Sequence, residues 1–265
     1  MKIHATAIVD PKAQLGSGVE IGAYSVVGPE VIIGENTTIH SHAVLEGAVR
    51  IGPENSIGHG SIIGGLPQDL SFRPETNSGV EIGARNVIRE YCTIHRGAIE
   101  TSVTSLGNDN FLMAGAHVGH NCRIAHGVII ANNCLLAGHV QIDDRAFIGG
   151  GTTFHQNMHV GRLVMAQGSS AFGKDIPPFL LAGERNFVFG VNVVGLKRAG
   201  FEPAQRDEIK RAFKLLYTSG LNTTQALEKA AEIDFGPSGR EFFEFVANAK
   251  ERGILPYRHA PQTGD

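Results

Sequence analysis

Tryptophan is absent from these 265 residues, and tyrosine occurs only four times. Large aromatic anchors are scarce, so a core has to be built from aliphatic side chains. Cysteine occurs three times, at Cys92, Cys122 and Cys134, with no CxxC pair. An odd number without that spacing suggests neither a disulfide framework nor a zinc knuckle. Thiols of this kind pack as small hydrophobes, which fits a reducing cytosol. No apolar run reaches membrane-spanning length, and no signal peptide precedes the first repeat, which begins at Ile3. A charge bias is missing too. The net charge of −3 gives no basic field for nucleic acid.

Glycine is plentiful, with 34 residues, about double the usual share. Its placement follows a rhythm of six. Ile3, Val9, Leu15, Ile21, Val27, Ile33, Ile39, Leu45, Ile51, Ile57 and Ile63 are all aliphatic. Gly16, Gly22, Gly28, Gly34, Gly52 and Gly58 follow such positions, and small or β-branched residues such as Ala7, Ala13, Val19 and Ser25 stand four residues after them. A period of six fits neither the 3.6 of an α-helix nor a heptad. It suits short strands, in which residues i and i+4 share one face and point inward. A fixed short repeat signals a solenoid. Six residues make one flat face, and three faces close a triangular coil of eighteen.

This pattern resembles the hexapeptide repeat of left-handed parallel β-helix proteins. The handedness follows from that resemblance, because the usual crossover rule gives the opposite hand. The expected fold is mainly β: a left-handed parallel β-helix over residues 1–178, followed by a connection and a C-terminal α-helical domain over 179–265. The rhythm breaks after Ile63 and resumes at Ile82, so residues 66–80 read as a loop extruded from the prism. A second irregularity spans 100–105. From Leu106 the sixes run unbroken to Phe172, for roughly eight or nine coils in all, and stop at Asp175-Ile176-Pro177-Pro178. Beyond an apolar connection, Phe201-Glu202-Pro203 opens one helix. Asn222 to Gln225 and Ser238 to Glu241 read as capping boxes for two more. The last dozen residues read as a loose tail.

Residues 112–142 place His117, His120, His126 and His139 within this frame. None occupies the first or fifth slot of its hexad, so all four are expected to face outward. His120 and Gly138 are eighteen apart and stack in neighbouring coils, beside His139, with His155 and Gln156 one coil further. A single outward histidine is usually just solvated. Five around one edge point to a site. An imidazole with a pKa near 6.5 is a suitable general base for a hydroxyl or amine attacking an activated acyl group. The resulting oxyanion needs a backbone N–H, which Gly138 can bring close. No serine or cysteine sits in a nucleophile-elbow context, which favours direct transfer.

Seven segments carry a closer resemblance: PQDL (67–70), IHRG (94–97), HVGHNC (117–122), LAGHV (136–140), HQ (155–156), DIPP (175–178) and GVNVVGLKRAGF (190–201). Together they resemble the cytoplasmic UDP-N-acetylglucosamine O-acyltransferases that begin lipid A synthesis, over nearly the whole chain. The resemblance implies a cytoplasmic homotrimer without a metal or other cofactor. Its donor is a 3-hydroxyacyl thioester of acyl carrier protein, and its acceptor is the sugar 3-OH. It implies His120 as the base and Gly138 as the oxyanion donor. Gln68, Asp69, His117, Asn121, His139, His155, Gln156, Asn192 and Arg198 would line the substrate site, and Gly168 would set acyl-chain length. Lys197, Arg206, Lys210, Arg211 and Lys214 read as a docking face for the acidic carrier protein, against the alternative of an ordinary solvated helix face.

The sequence departs from the family pattern at four places. Asn121 stands where the family often has Asp, Ser71 where better-known members have Lys, and Val194 and Ala199 where they have Glu and Arg. These leave open acylation of the 3-amino analogue of the sugar. Outside the family, a γ-type carbonic anhydrase would use the same prism with three histidines on zinc. A purely structural solenoid would give no reason for the outward histidines.

Overall fold

The computed structural model describes residues 1–249 and 252–258. Two-residue strands recur every six residues and pair in parallel with strands one coil away. They form sheets of eleven, nine and eight strands, the three faces of a left-handed prism. First-slot residues fill its axis: Ile57, Ile63, Ile94, Leu112, Val118, Ile130 and Leu136 are all fully buried.

The fifth slot has its own chemistry. Its hydroxyl and thiol residues donate to backbone carbonyls at the corners: Ser25 to His40, Ser61 to Arg89 and Thr152 to Gln167, at 2.8 to 3.0 Å. The three cysteines belong to the same class. Cys92, Cys122 and Cys134 donate to the carbonyls of Met113, Ala137 and Gly149, each at 3.1 Å. Burial pushes the Cys92 thiol up to about 11 and the Cys122 thiol up to about 12, so neither supplies a thiolate near neutrality.

In one corner the fifth slot holds a column of asparagines. Asn86 donates its backbone N–H to the Asn55 side-chain oxygen at 2.8 Å, Asn110 does the same to Asn86 at 2.9 Å, and Val128 to Asn110 at 2.8 Å. Below them, Asn55 N–H donates to the Thr37 hydroxyl at 3.1 Å. The column crosses both irregular levels. Successive members are 31 residues apart over the first insertion and 24 over the second, against eighteen for a plain coil. The second insertion, expected over 100–105, runs over 96–102, between the strands Thr93–His95 and Val103–Leu106; it keeps the phase of six, and Ile82 pairs directly with Leu106.

The prolines at 177–178 do not end the first sheet. Leu180–Gly183 continues it in parallel with Met165–Ala166, and Phe187–Val191 then returns antiparallel to close it. The apolar connection read from the sequence therefore contains a hairpin. Helix α1 (Val193–Arg198) follows, then α2 (Pro203–Tyr217), α3 (Thr223–Ala231) and α4 (Pro237–Asn248). Helices α2 and α3 start with capping boxes, Glu202 with Gln205 and Asn222 with Gln225. Helix α4 does not have the box expected of Ser238 and Glu241. Gly236 is its N-cap, Pro237 opens it, and the buried Glu208 carboxylate of α2 accepts the Gly239 N–H at 2.6 Å. Glu241 instead makes a two-point ion pair with Arg162 at 2.7 and 2.8 Å, tying α4 to the prism. Phe242, Phe243 and Val246 are its buried large apolar residues, and the tilted Phe245 ring meets His159 at 4.5 Å between centres.

Residues 254–258 are not loose. Leu255 is fully buried and its N–H donates to the Asp175 carbonyl, while Arg258 N–H donates to Val188. The remainder of the expected tail, 259–265, lies outside the described residues.

Candidate active site

His117 lies on the strand His117–Val118, and His120 and His139 sit at coil corners, where the second turn residue is left-handed. Asn121 and His139 both have φ of 62° there, and His139 N–H donates to the His120 carbonyl of the coil before at 2.9 Å. Asparagine tolerates this conformation better than most residues. The His120 and His139 rings meet edge to face, 5.2 Å between centres. Gly138 lies directly over His120. A Cβ at Gly138 would stand 2.4 Å from Cε1 and 2.5 Å from Nε2 of that ring. A side chain there would have to push the imidazole out of place. The Gly138 N–H has no acceptor among the described residues, while its carbonyl accepts from Asn157 at 3.0 Å.

Asn121 decides which nitrogen of His120 is basic. Its Oδ1 accepts the Ala98 backbone N–H at 2.9 Å and lies 2.9 Å from Nδ1 of His120. The Ala98 donor fixes which end of the amide is oxygen. An oxygen facing Nδ1 requires Nδ1 to carry the proton. Nε2 is left with a lone pair on the outer side of the prism. The Asn121 N–H is itself held by the Thr104 hydroxyl at 2.7 Å.

Behind this pair lies a second one. His117 Nδ1 is 2.7 Å from the Thr93 hydroxyl, and His95 meets the His117 ring edge-on at 4.8 Å. His95 is 8% exposed. Burial, with smaller contributions from His117 and His120, pushes it down to about 4. His117 is lowered by burial and then by His120. His139 is lowered by burial and by His120 and Arg123, with Asp69 opposing. These three imidazoles are neutral near pH 7. The Asp69 carboxyl is held below the usual range, first by the Ser71 hydroxyl and N–H that donate to it at 2.7 and 2.8 Å, and then by the nearby His120 and His139.

The structure thus gathers His117, His120, Asn121, Gly138, His139 and Asp69, with exposed Gln68 beside Asp69. His155 and Gln156 stand one coil on, both exposed. His126 is not part of this edge. Six residues beyond His120 is one face further round, and His126 there accepts the Asn108 N–H at 2.9 Å and lines a groove with Arg123 and Asp143. Sequence reasoning missed Thr93, His95 and Ala98 as parts of the site. A bulky His95 in a slot usually given to glycine was the available signal.

Asn192 and Arg198 lie elsewhere. They line a cleft of about 700 Å³ with Arg145, Phe147, Met165 and Val194, and none of the clustered histidines borders it. Asn192 is buried and caps α1. Its oxygen accepts from Gly195 N–H and its amide donates to the Leu163 carbonyl, each at 2.9 Å. Arg198 is exposed. Along this face, Phe111, Ile129, Phe147, Met165 and Leu181 stack in register, one per coil, pointing outward. Gly168 is exposed at the neighbouring corner, where a Cβ would come within 3.1 Å of the Gly150 carbonyl oxygen. Of the expected docking residues, Lys197, Lys210, Arg211 and Lys214 are exposed. Lys210 pairs with Asp207 at 2.9 Å, Arg211 lies 5.8 Å over Phe235, and Arg206 turns back to the Phe201 carbonyl. Among the described residues, no group of three or more His, Cys, Asp or Glu is arranged to hold a metal ion, and no helix is long and apolar enough to cross a membrane.

A hexapeptide-repeat prism with imidazoles on one outer edge and a helical C-terminal extension defines a hexapeptide-repeat acyltransferase. Family models agree with both parts. The bacterial transferase hexapeptide model matches residues 30–65 and 104–138, and the second domain of UDP-N-acetylglucosamine O-acyltransferase matches residues 175–255. The acyl-[acyl-carrier-protein]–UDP-N-acetylglucosamine O-acyltransferase of Burkholderia orbicola is 46% identical over 261 residues, 96% of this chain and 99% of its own. LpxA from Bacteroides fragilis, a UDP-N-acetylglucosamine acyltransferase, superposes with a TM-score of 0.91 at 40% identity, over 95% of this chain and 99% of its own. LpxA from Acinetobacter baumannii gives 0.92 at 36%, over 96% and 100%. The chain belongs to the acyl-[acyl-carrier-protein]–UDP-N-acetylglucosamine O-acyltransferase family.

Proposed function

We propose that this acyltransferase moves a 3-hydroxyacyl chain from acyl carrier protein to the 3-OH of UDP-N-acetylglucosamine, in one direct step between the bound partners. The observation that carries this reading is the Asn121 oxygen. Fixed by Ala98, it leaves His120 Nε2 free as an acceptor beside the Gly138 amide. In the reaction Nε2 takes the proton of the sugar hydroxyl as that oxygen bonds to the thioester carbonyl carbon. The carbonyl oxygen becomes an oxyanion, and the free N–H of Gly138 is the donor suited to it. The tetrahedral centre then collapses, the carbon–sulfur bond breaks, and the imidazolium returns its proton to the departing thiolate. Neutral neighbours at His95, His117 and His139 keep the site free of positive charge that would oppose proton uptake.

Gln68, Asp69, His117, His139, His155 and Gln156 would hold the sugar nucleotide and the acyl carbonyl, and Asn192 and Arg198 the nucleotide. Because Asn192 and Arg198 border a different cleft, the reading places the site between copies in a cytoplasmic homotrimer, a closed symmetric arrangement. The apolar ladder from Phe111 to Leu181 suits an acyl chain, and Gly168 leaves length at its end. Lys197, Arg206, Lys210, Arg211 and Lys214 would receive the carrier protein.

The test is an acyl-transfer assay with UDP-N-acetylglucosamine and its 3-amino analogue against acyl carrier proteins of several chain lengths. Ester formation on the 3-OH is expected. Exclusive acylation of the amino analogue overturns the choice of acceptor. Mixing His120→Ala with Arg198→Ala protein should restore part of the activity if the site is shared between copies, and no recovery would refute that sharing.

A further inference from the structure

Arg96 makes contacts that no step above uses. Its N–H donates to the Gly65 carbonyl at 3.1 Å, so it sits where the 66–80 insertion leaves the prism. Its Nη2 donates to the Pro74 carbonyl at 2.8 Å, and its guanidinium carbon lies 5.3 Å from the centre of the Phe72 ring. Its Nε is buried without an acceptor. Gly47, at φ of 70°, makes the room: a Cβ there would stand 3.0 Å from Nη1. Among the described residues no carboxylate pairs with this charge. It is met by a ring face and a carbonyl, both on one loop.

That loop carries Asp69. Phe72 N–H donates to the Asp69 carbonyl at 3.0 Å, and Ser71 donates twice to the Asp69 carboxylate. Phe72 is therefore the far end of the turn that presents the carboxylate, and holding Phe72 holds Asp69. A flat guanidinium can cover a ring and donate in its own plane at the same time, whereas an ammonium is a point charge.

We infer that Arg96 is a positioning residue that latches the turn 69–72 to the prism and so sets Asp69 against His120 and His139. The inference rests on the proposed reading of Asp69 as part of the substrate site. Arg96 acts through Phe72 and Pro74. The rest of the loop is held at its far end, where Asn77 N–H donates to Glu100 and the Asn77 carbonyl accepts from Thr101 N–H. Arg96 is therefore the tie nearest the turn, and a carboxylate displaced by about 1 Å can cost roughly 100-fold.

The test uses the full-length enzyme with Arg96→Lys, Arg96→Met, Phe72→Leu, Asp69→Asn and the double variant Arg96→Met/Asp69→Asn. Amide hydrogen exchange is followed over 66–80 and 112–142, alongside steady-state kinetics. Arg96→Met and Phe72→Leu should speed exchange in 66–80 about 10-fold, with 112–142 unchanged, as a local opening does. Arg96→Lys should fall between. Arg96→Met should raise KM for the sugar nucleotide about 10-fold with KM for acyl carrier protein unmoved, and the double variant should be no worse than Asp69→Asn. Unchanged loop exchange, or losses that multiply in the double variant, would overturn the latch. A wild-type enzyme inert toward the sugar nucleotide, with loop exchange still responding to Arg96→Met, would refute the proposed reaction while supporting the latch.

Discussion

The side-chain oxygen of Asn121 lies 2.9 Å from Nδ1 of His120 and is held in that orientation by the Ala98 N–H. A neutral amide here selects a tautomer without adding charge. Replacing it with Asn121→Asp keeps both hydrogen bonds and adds a negative charge at that distance, which favours the protonated ring. The acidic limb of the kcat/KM profile should move to higher pH by about one unit, and Asn121→Ala should lower kcat with the limb unmoved. Superimposable profiles for wild type and Asn121→Asp would rule out direct coupling of the two side chains.

His120→Ala should lose about 10²- to 10⁴-fold in kcat, the usual worth of a general base. Its melting temperature should match wild type, because the residue is outside the aliphatic column. Gly138→Ala should be comparably damaged for a steric reason, since the added methyl would meet the imidazole. Full turnover by either variant is incompatible with the assigned roles.

His95 should make folding acid-sensitive. Its imidazole titrates near 6.5 when unfolded and about 4 when folded. Between those values the unfolded chain binds a proton that the folded chain refuses, so stability is complete above about 6.5 and is lost as pH falls through about 4. The slope is at most about 1.4 kcal/mol per pH unit from this group. Denaturant melts from pH 7 to 4 should fall less steeply for His95→Gln than for wild type. Parallel curves would contradict a neutral buried imidazole.

Reversing Lys210 and Arg211 to Glu should raise KM for acyl carrier protein several-fold and leave KM for the sugar nucleotide alone. Docking by surface charge acts mainly on association and weakens with salt. Wild-type KM for the carrier should therefore rise with ionic strength, and the double variant should respond less. Equal KM values would leave α2 as an ordinary solvated helix.

The prism was legible because a period of six has few structural solutions, and the first slot from Ile21 onward is aliphatic and buried with very few exceptions. Slot counting also placed His120 beneath Gly138 correctly. It could not separate His126 from the others by composition, since only the face a hexad occupies distinguishes them. The second insertion was legible as a break, but its bounds were set a few residues late, at 100–105 instead of 96–102, because its length preserves phase. The hairpin at 180–191 was hidden in an apolar run with no alternation, and nothing local marks Glu208 as buried, because its partner, the start of α4, lies 31 residues away. Roles created by contacts between distant segments, such as that of Ala98 on Asn121, leave no local mark.

The asparagine column through Asn55, Asn86 and Asn110 has a bearing on how this protein can vary. Each amide receives the next level's N–H, whatever length of chain runs between them. It acts as a counter of storeys, indifferent to the length of the balconies. Shortening or lengthening the excursions at 66–80 or 96–102 need not shift anything above them. Loops that meet different acceptors can thus be exchanged while the catalytic edge stays in register.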